Sequence, residues 1–299
     1  MVVQMSITRT KGRRRPARNA IRRWIPDQPG AWVMATAPAL AGLVAGTEYG
    51  RLTLSACWLM VCWILCYCVQ FTTARWLKSR MSRRYRAPML GYCALLAACG
   101  VPFVVTHPGV LAWAPAFAAL AATSFVAAWK RRERSLWSNG VAVVASALMP
   151  MLTFSYGTGT FAVPGPSGAA SSMSGVPGLS GVGVALLAYF VITQFGSVLF
   201  VKTMIRNRGD RAYLAASWIW HIAFAVWSLI GPHLGLDGWG LASEQAGPWL
   251  VAVAMVLLAR AVVLPLLARS RAIRPLVTGA VEGVSSLVSF AGALGVALA

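Results

Sequence analysis

Two ionisable residues of this chain, Arg260 and Glu282, stand inside long apolar runs. An ionisable side chain in such a run is costly in lipid, so it usually faces the interior of a helical bundle and finds a partner. Arg260 lies nine residues before Arg269, and Glu282 lies seven after Pro275. At about 1.5 Å per helical residue, both sit roughly 10–14 Å from the connection that joins their runs. The runs are adjacent and antiparallel, so the two charged groups are expected to approach each other, directly or through water. A pair of this kind fixes helix register or takes part in binding.

The other residue types able to do chemistry are fewer than the length suggests. Six cysteines stand at 57, 62, 66, 68, 93 and 99. Cys62 and Cys66 share a helical face, but there is no CxxC pair and histidine is scarce. No metal is expected, and small apolar filling of helix interfaces accounts for the thiols. His107 and His233 adjoin Pro in connections, whereas His221 in SWIWHIAF is embedded. One embedded His is thin support for haem ligation and reads better as a hydrogen-bonded interface residue.

Three basic stretches complete the set: ARWLKSRMSRRYRAP at 74–88, WKRRERSLWSNG at 129–140 and VKTMIRNRGDRAY at 201–213. Orienting a membrane protein needs only one or two cations per loop, so these carry a surplus. Arg75, Lys78, Lys130, Arg131, Arg132, Asn139, Arg206 and Asp210, with His221 behind them, are the candidates for holding a phosphate or carboxylate. Trp76, Trp129 and Trp137 read as interfacial anchors.

The elements that position these residues follow from composition. The chain is 58% hydrophobic and 11% charged, against about 25% charged in soluble domains. Its charges are bunched, and the gaps are apolar runs of about 20 residues, each long enough to cross the hydrocarbon as a helix. The fold class is all-α: a polytopic transmembrane bundle of about nine helices, at 30–48, 53–71, 88–106, 110–129, 140–157, 182–201, 212–231, 248–268 and 276–296. Residues 1–29 are expected to be a disordered basic tail lying on anionic lipid, and 30–299 a single transmembrane domain. The first run is read as a retained helix and not as a cleaved leader. Residues 157–181, rich in Gly, Ser and Pro, read as a flexible connection.

The nine runs sort the 27 Lys and Arg by side. Eight fall in the tail, six in 72–87, four in 130–139, four in 202–211 and three in 269–275, all on one side. Only Arg51 falls on the other. The positive-inside rule places the N-terminus in the cytoplasm and the C-terminus outside. The net charge of +20 is therefore topological, and nucleic acid is not expected as a partner.

The segment RWIPDQPGAWVMATAPALAGL at 23–43, with WLK and RYRAP within 76–88 and RRERSLWSN at 131–139, resembles the YwiC-like family of uncharacterised bacterial membrane proteins. More distantly, AAWKRRERSLWSNGVAVVASALMPML at 127–152 resembles the fourth-to-fifth helix passage of the UbiA-type prenyltransferases, through Lys130, Arg131, Asn139, Gly140 and Pro150. IRNRGDR at 205–211 is similar to the turn carrying their second acidic motif. That likeness implies a nine-helix arrangement with a catalytic mouth at the inner loops. It also implies two aspartate-rich motifs, and here the first position reads QFTTARWLKSR, with no acid, and the second keeps only Asp210. One carboxylate among Arg206, Arg208 and Arg211 is a poor Mg²⁺ site, although the arginines suit a diphosphate directly. No cofactor is expected.

The reading is a multi-pass plasma-membrane protein that binds a lipidic or anionic ligand, an isoprenoid among the candidates, at its cytoplasmic mouth. A divergent UbiA-like transferase is the alternative. It predicts an enclosed cavity near Asn139, Asp210, His221 and Glu282. A transporter ranks third, because no internal repeat is visible.

Overall fold

In hydrocarbon a backbone must satisfy its own hydrogen bonds, and each apolar run does so by closing into a helix. The computed structural model describes residues 23–26, 28–158, 180–231, 245–271 and 273–299. The expectations placed on 1–22, on 159–179 and on His233 lie outside these. Among the described residues nine helical segments are long and apolar enough to cross a membrane: Pro29–Tyr49, Leu54–Lys78, Arg83–Thr106, Pro108–Trp129, Leu136–Thr158, Gly181–Arg206, Arg211–Ile230, Gly247–Ser270 and Pro275–Leu298. They are called here the first to the ninth span. No strand occurs among the described residues.

Several helices outrun their apolar stretch at the basic end. The second span continues to Lys78, the third begins at Arg83, and the sixth continues through a π-helical turn, Lys202–Arg206. Polar side chains end an apolar run without ending the helix, because past the hydrocarbon they are solvated. The fifth span breaks between Leu136–Ala147 and Met149–Thr158. Pro150 accounts for this, since its ring meets the carbonyl four residues back.

Packing is closest where side chains are smallest. Gly42 and Gly46 on the first span and Gly50 at its cap lie four apart and face the second half of the fifth. A Cβ added at Gly46 would sit 3.0 Å from the Phe154 carbonyl oxygen and 3.2 Å from Gly157 Cα. This is the small-residue contact of membrane bundles, in which backbone meets backbone. The largest core joins the first, sixth, eighth and ninth spans through Ala45, Leu186, Tyr189, Leu250, Leu257 and Ala293. The Tyr189 hydroxyl donates to the Ser289 carbonyl at 2.7 Å. The third span stands at the periphery, burying only Pro88 and Phe103.

The connections gather at two ends. At one, Thr53 Oγ1 donates to the Tyr156 carbonyl at 2.8 Å, Ser55 Oγ pairs with His107 Nε2 at 2.8 Å, and the Tyr49 hydroxyl donates to the Ala297 carbonyl at 2.8 Å. At the other, basic end, Lys78 pairs with Glu133 at 2.6 Å and Lys202 Nζ donates to the Arg134 carbonyl at 2.6 Å.

Candidate functional site

The sequence candidates are spread over the basic end, whose two sides meet where Lys202 Nζ donates to the Arg134 carbonyl. They fall into two surface groups and one buried cluster.

The first group joins the second span to the fourth-to-fifth connection. Arg75 lies over the Phe71 ring at 4.3 Å, and the Lys78–Glu133 pair is exposed to water on both sides. Lys130, Arg131 and Arg132 are exposed and form the cap of the fourth span. Arg131 takes a left-handed conformation, φ 56°; its N–H donates to the Ala128 carbonyl at 3.0 Å and that of Arg132 to the Ala127 carbonyl at 2.8 Å. Those two bonds are a Schellman closure, which usually carries Gly at the left-handed position. Ser135 Oγ then accepts from the Ser138 N–H at 3.3 Å to start the fifth span, leaving Asn139 half-buried in its first turn. The second span ends the same way, with Arg80 at φ 57°. The run of cations in WKRRERSLWSNG is thus a helix stop and a helix start.

The second group surrounds a cleft of about 490 Å³ between the sixth, seventh and eighth spans. Its walls include Arg208, Arg211, Arg269, Asp210 and Thr203. The Gly209 backbone, at φ 87°, turns the chain here. Asp210 Oδ1 accepts from the N–H groups of Ala212 at 2.9 Å and Tyr213 at 3.4 Å, capping the seventh span. That oxygen is tied to the helix start. Arg208 Nη2 donates to the Ala268 carbonyl at 3.2 Å, which leaves its other donors for the cleft. Arg206 stands exposed beside it. Of the four residues around which the prenyltransferase likeness predicts a cavity, only Asp210 lines this cleft.

Sequence reasoning passed over Lys202. It is 4% exposed, on the π-helical turn, between the Arg134 carbonyl and the Tyr213 ring at 5.6 Å. Its i,i+4 neighbour Arg206 and Arg134 both lie within electrostatic reach of this corner. A π-turn in an α-helix often marks such a functional corner, but nothing in a single sequence distinguishes its residues.

The buried cluster lies in the interior of the sixth to ninth spans. Arg260 Nη1 donates to Glu282 Oε2, and the two side chains are 4% and 17% exposed. Arg260 Nη2 donates to Ser197 Oγ at 2.8 Å, and the guanidinium lies over the Phe200 ring at 4.7 Å. One charge is thus met by a carboxylate, a hydroxyl and an aromatic face. His221, 1% exposed, bonds through Nδ1 to the Ser217 carbonyl at 2.6 Å. Among the described residues no three His, Cys, Asp or Glu side chains form a metal-sized group.

Against known proteins, residues 25–154 match the family described as YwiC-like protein. A Bacillus subtilis protein, described as uncharacterised protein YwiC, is 28% identical over 202 residues, 66% of this chain and 74% of that protein. An uncharacterised Haemophilus influenzae protein is 24% identical over 206 residues, 68% of this chain and 76% of that one. No solved structure matches. The nine apolar helices among the described residues and these relatives make the chain a multi-pass membrane protein, similar over residues 25–154 to the YwiC-like family.

Proposed function

We propose that the protein binds the anionic headgroup of a lipid, phosphate or diphosphate, in the cleft between its sixth, seventh and eighth spans. The observation that carries this is three arginines, Arg208, Arg211 and Arg269, around one cleft whose only carboxylate among the described residues is engaged in capping a helix. Arginine presents a planar fork of donors that matches phosphate oxygens. The cleft lies at the end of the bundle where lipid headgroups would sit, between apolar helix walls at Leu214 and Pro265. With the basic end in the cytoplasm, as the charge asymmetry of the loops argues, the ligand comes from the inner leaflet.

The nearby cations strengthen the reading. Lys202, Arg206 and Arg134 crowd one corner, and the described acids are otherwise engaged or distant: Glu133 pairs with Lys78, Glu282 with Arg260, Asp210 caps its helix, and Glu48 lies near the opposite end of the first span. An incoming anion would relieve that repulsion. The test compares thermal unfolding in detergent with added phosphatidylglycerol or phosphatidylcholine. Phosphatidylglycerol should stabilise the parent protein selectively, and Arg208→Gln/Arg211→Gln/Arg269→Gln should erase the difference. An equal response of parent and variant would refute the cleft as the site.

A further inference from the structure

The interior cluster contains three polar atoms that have no hydrogen-bond partner among the described residues. They are His221 Nε2, Ser217 Oγ and Arg260 Nε, all fully screened from solvent. Buried polar groups in proteins are paired in the large majority of cases, and at this depth lipid supplies no partner. One orphan atom is ordinary; three on two neighbouring helices, with His221 bonded to Ser217 and acted on by the Arg260 charge, point to something that completes them.

The chemistry of the missing partner can be read from the donors and acceptors. The Nδ1 of His221 faces a carbonyl, which can only accept, so Nδ1 carries the proton. Nε2 is then an acceptor in need of a donor. Ser217 Oγ can give or take, and Arg260 Nε can only give. A hydroxyl group or a water satisfies this set, because the first donates once and the second twice, and each accepts through two lone pairs. A carboxylate or a carbonyl cannot donate to Nε2, and a cation would meet Arg260.

A glycine lets the sixth span come close to the ring. Gly196, on the sixth span, stands opposite the ring: a Cβ added there would lie 3.1 Å from His221 Nε2. The next residue, Ser197, holds the Arg260 guanidinium at 2.8 Å. Nε2 and the guanidinium therefore meet neighbouring residues of the sixth span, Gly196 and Ser197, and the Arg260 charge acts on His221. Trp220 Nε1 is committed to the Ile192 carbonyl at 2.9 Å and Trp218 Nε1 to the Ala261 carbonyl at 2.9 Å, so neither indole supplies the donor.

We infer that the sixth, seventh and eighth spans enclose a site for an O–H group, which donates to His221 Nε2 beside Ser217 and the Arg260–Glu282 pair. The source is an internal water or the hydroxyl of a lipid-soluble alcohol. The site is separate from the arginine cleft, and neither reading depends on the other.

Nitrogen-15 NMR of the histidine-labelled full chain in lipid nanodiscs tests this. His107 is the internal reference, since its two ring nitrogens are bonded by Ser55 and Thr106, both at 2.8 Å. His221→Gln assigns the resonances. The expected result is a neutral His221 whose unprotonated Nε2 is shifted as a hydrogen-bond acceptor. Gly196→Ala, which closes that side of the ring, should move it to the free-acceptor position and leave His107 unchanged. A cross-peak from Nε2 to exchangeable water protons identifies water; loss of the shift on exhaustive delipidation identifies a lipid alcohol. A free Nε2 in the parent protein, or a ring protonated at Nε2, overturns the inference.

Discussion

Glu282→Gln should destabilise the bundle more than removal of its partner Arg260, although both break the same ion pair. The guanidinium is 4% exposed and cannot lose its proton in a protein. With Gln at 282 it keeps only neutral companions, Ser197 and the Phe200 ring. An unpartnered buried charge costs about 3–5 kcal/mol. Arg260→Met instead leaves a carboxyl that is 17% exposed and less completely shut off from its surroundings than the guanidinium. Its cost is that of a poorly bonded polar group, about 1–3 kcal/mol. Arg260→Met/Glu282→Leu removes both charges and should recover most of the loss, as replaced buried pairs do. Unfolding in mixed micelles, followed by tryptophan fluorescence, gives the three free energies. The reasoning fails if the double variant is as unstable as Glu282→Gln, or if Arg260→Met is the worst of the three.

Other perturbations separate packing from charge. Gly46→Leu should cost about 1–3 kcal/mol through overpacking against Phe154 and Gly157, while Gly30→Ala, with nothing within 4 Å, should be neutral in the same unfolding assay. Glu133→Gln breaks an exposed pair and should change stability by less than about 1 kcal/mol. Arg131→Gly relieves a left-handed residue and should be neutral or stabilising by up to about 1 kcal/mol, with acidic-lipid binding unchanged. Alkaline phosphatase fused after Ala299 should be active, and fused at Arg274 inactive; the reverse pattern would invert the bundle.

The spans were legible in the sequence because length and apolarity decide what crosses a membrane, and those are local properties. Their ends were not. Arg75, Lys78, Arg83 and Arg86 end apolar runs while the helices continue, since charge ends hydrophobicity and not backbone bonding. The break at Leu148 was readable in principle from Pro150, but many prolines in membrane helices leave no break. The GLVAGTEYG spacing also stood in plain view, yet three glycines four apart indicate close packing without naming the partner.

The approach of Arg260 to Glu282 followed from depth alone: two charges at one level on adjacent helices have few alternatives. The grouping of the surface cations did not follow, because charge says nothing of which loops touch. Arg269 enters the cleft through the packing of the eighth span on the seventh, and Lys202 is held between the Arg134 carbonyl and the Tyr213 ring, contacts between distant parts of the chain. The cations around Arg131, prominent in the sequence, stand on backbone that closes a helix, which their charge does not announce.

The most direct test of headgroup binding is mass spectrometry of what stays bound when the protein is released from native membrane into mild detergent. The account predicts a retained phosphate- or diphosphate-bearing lipid. It should be lost in Arg208→Gln/Arg211→Gln/Arg269→Gln and kept in Lys130→Gln/Arg131→Gln/Arg132→Gln. Retention of zwitterionic and acidic lipids alike by the parent protein, unchanged in the cleft variant, would contradict it.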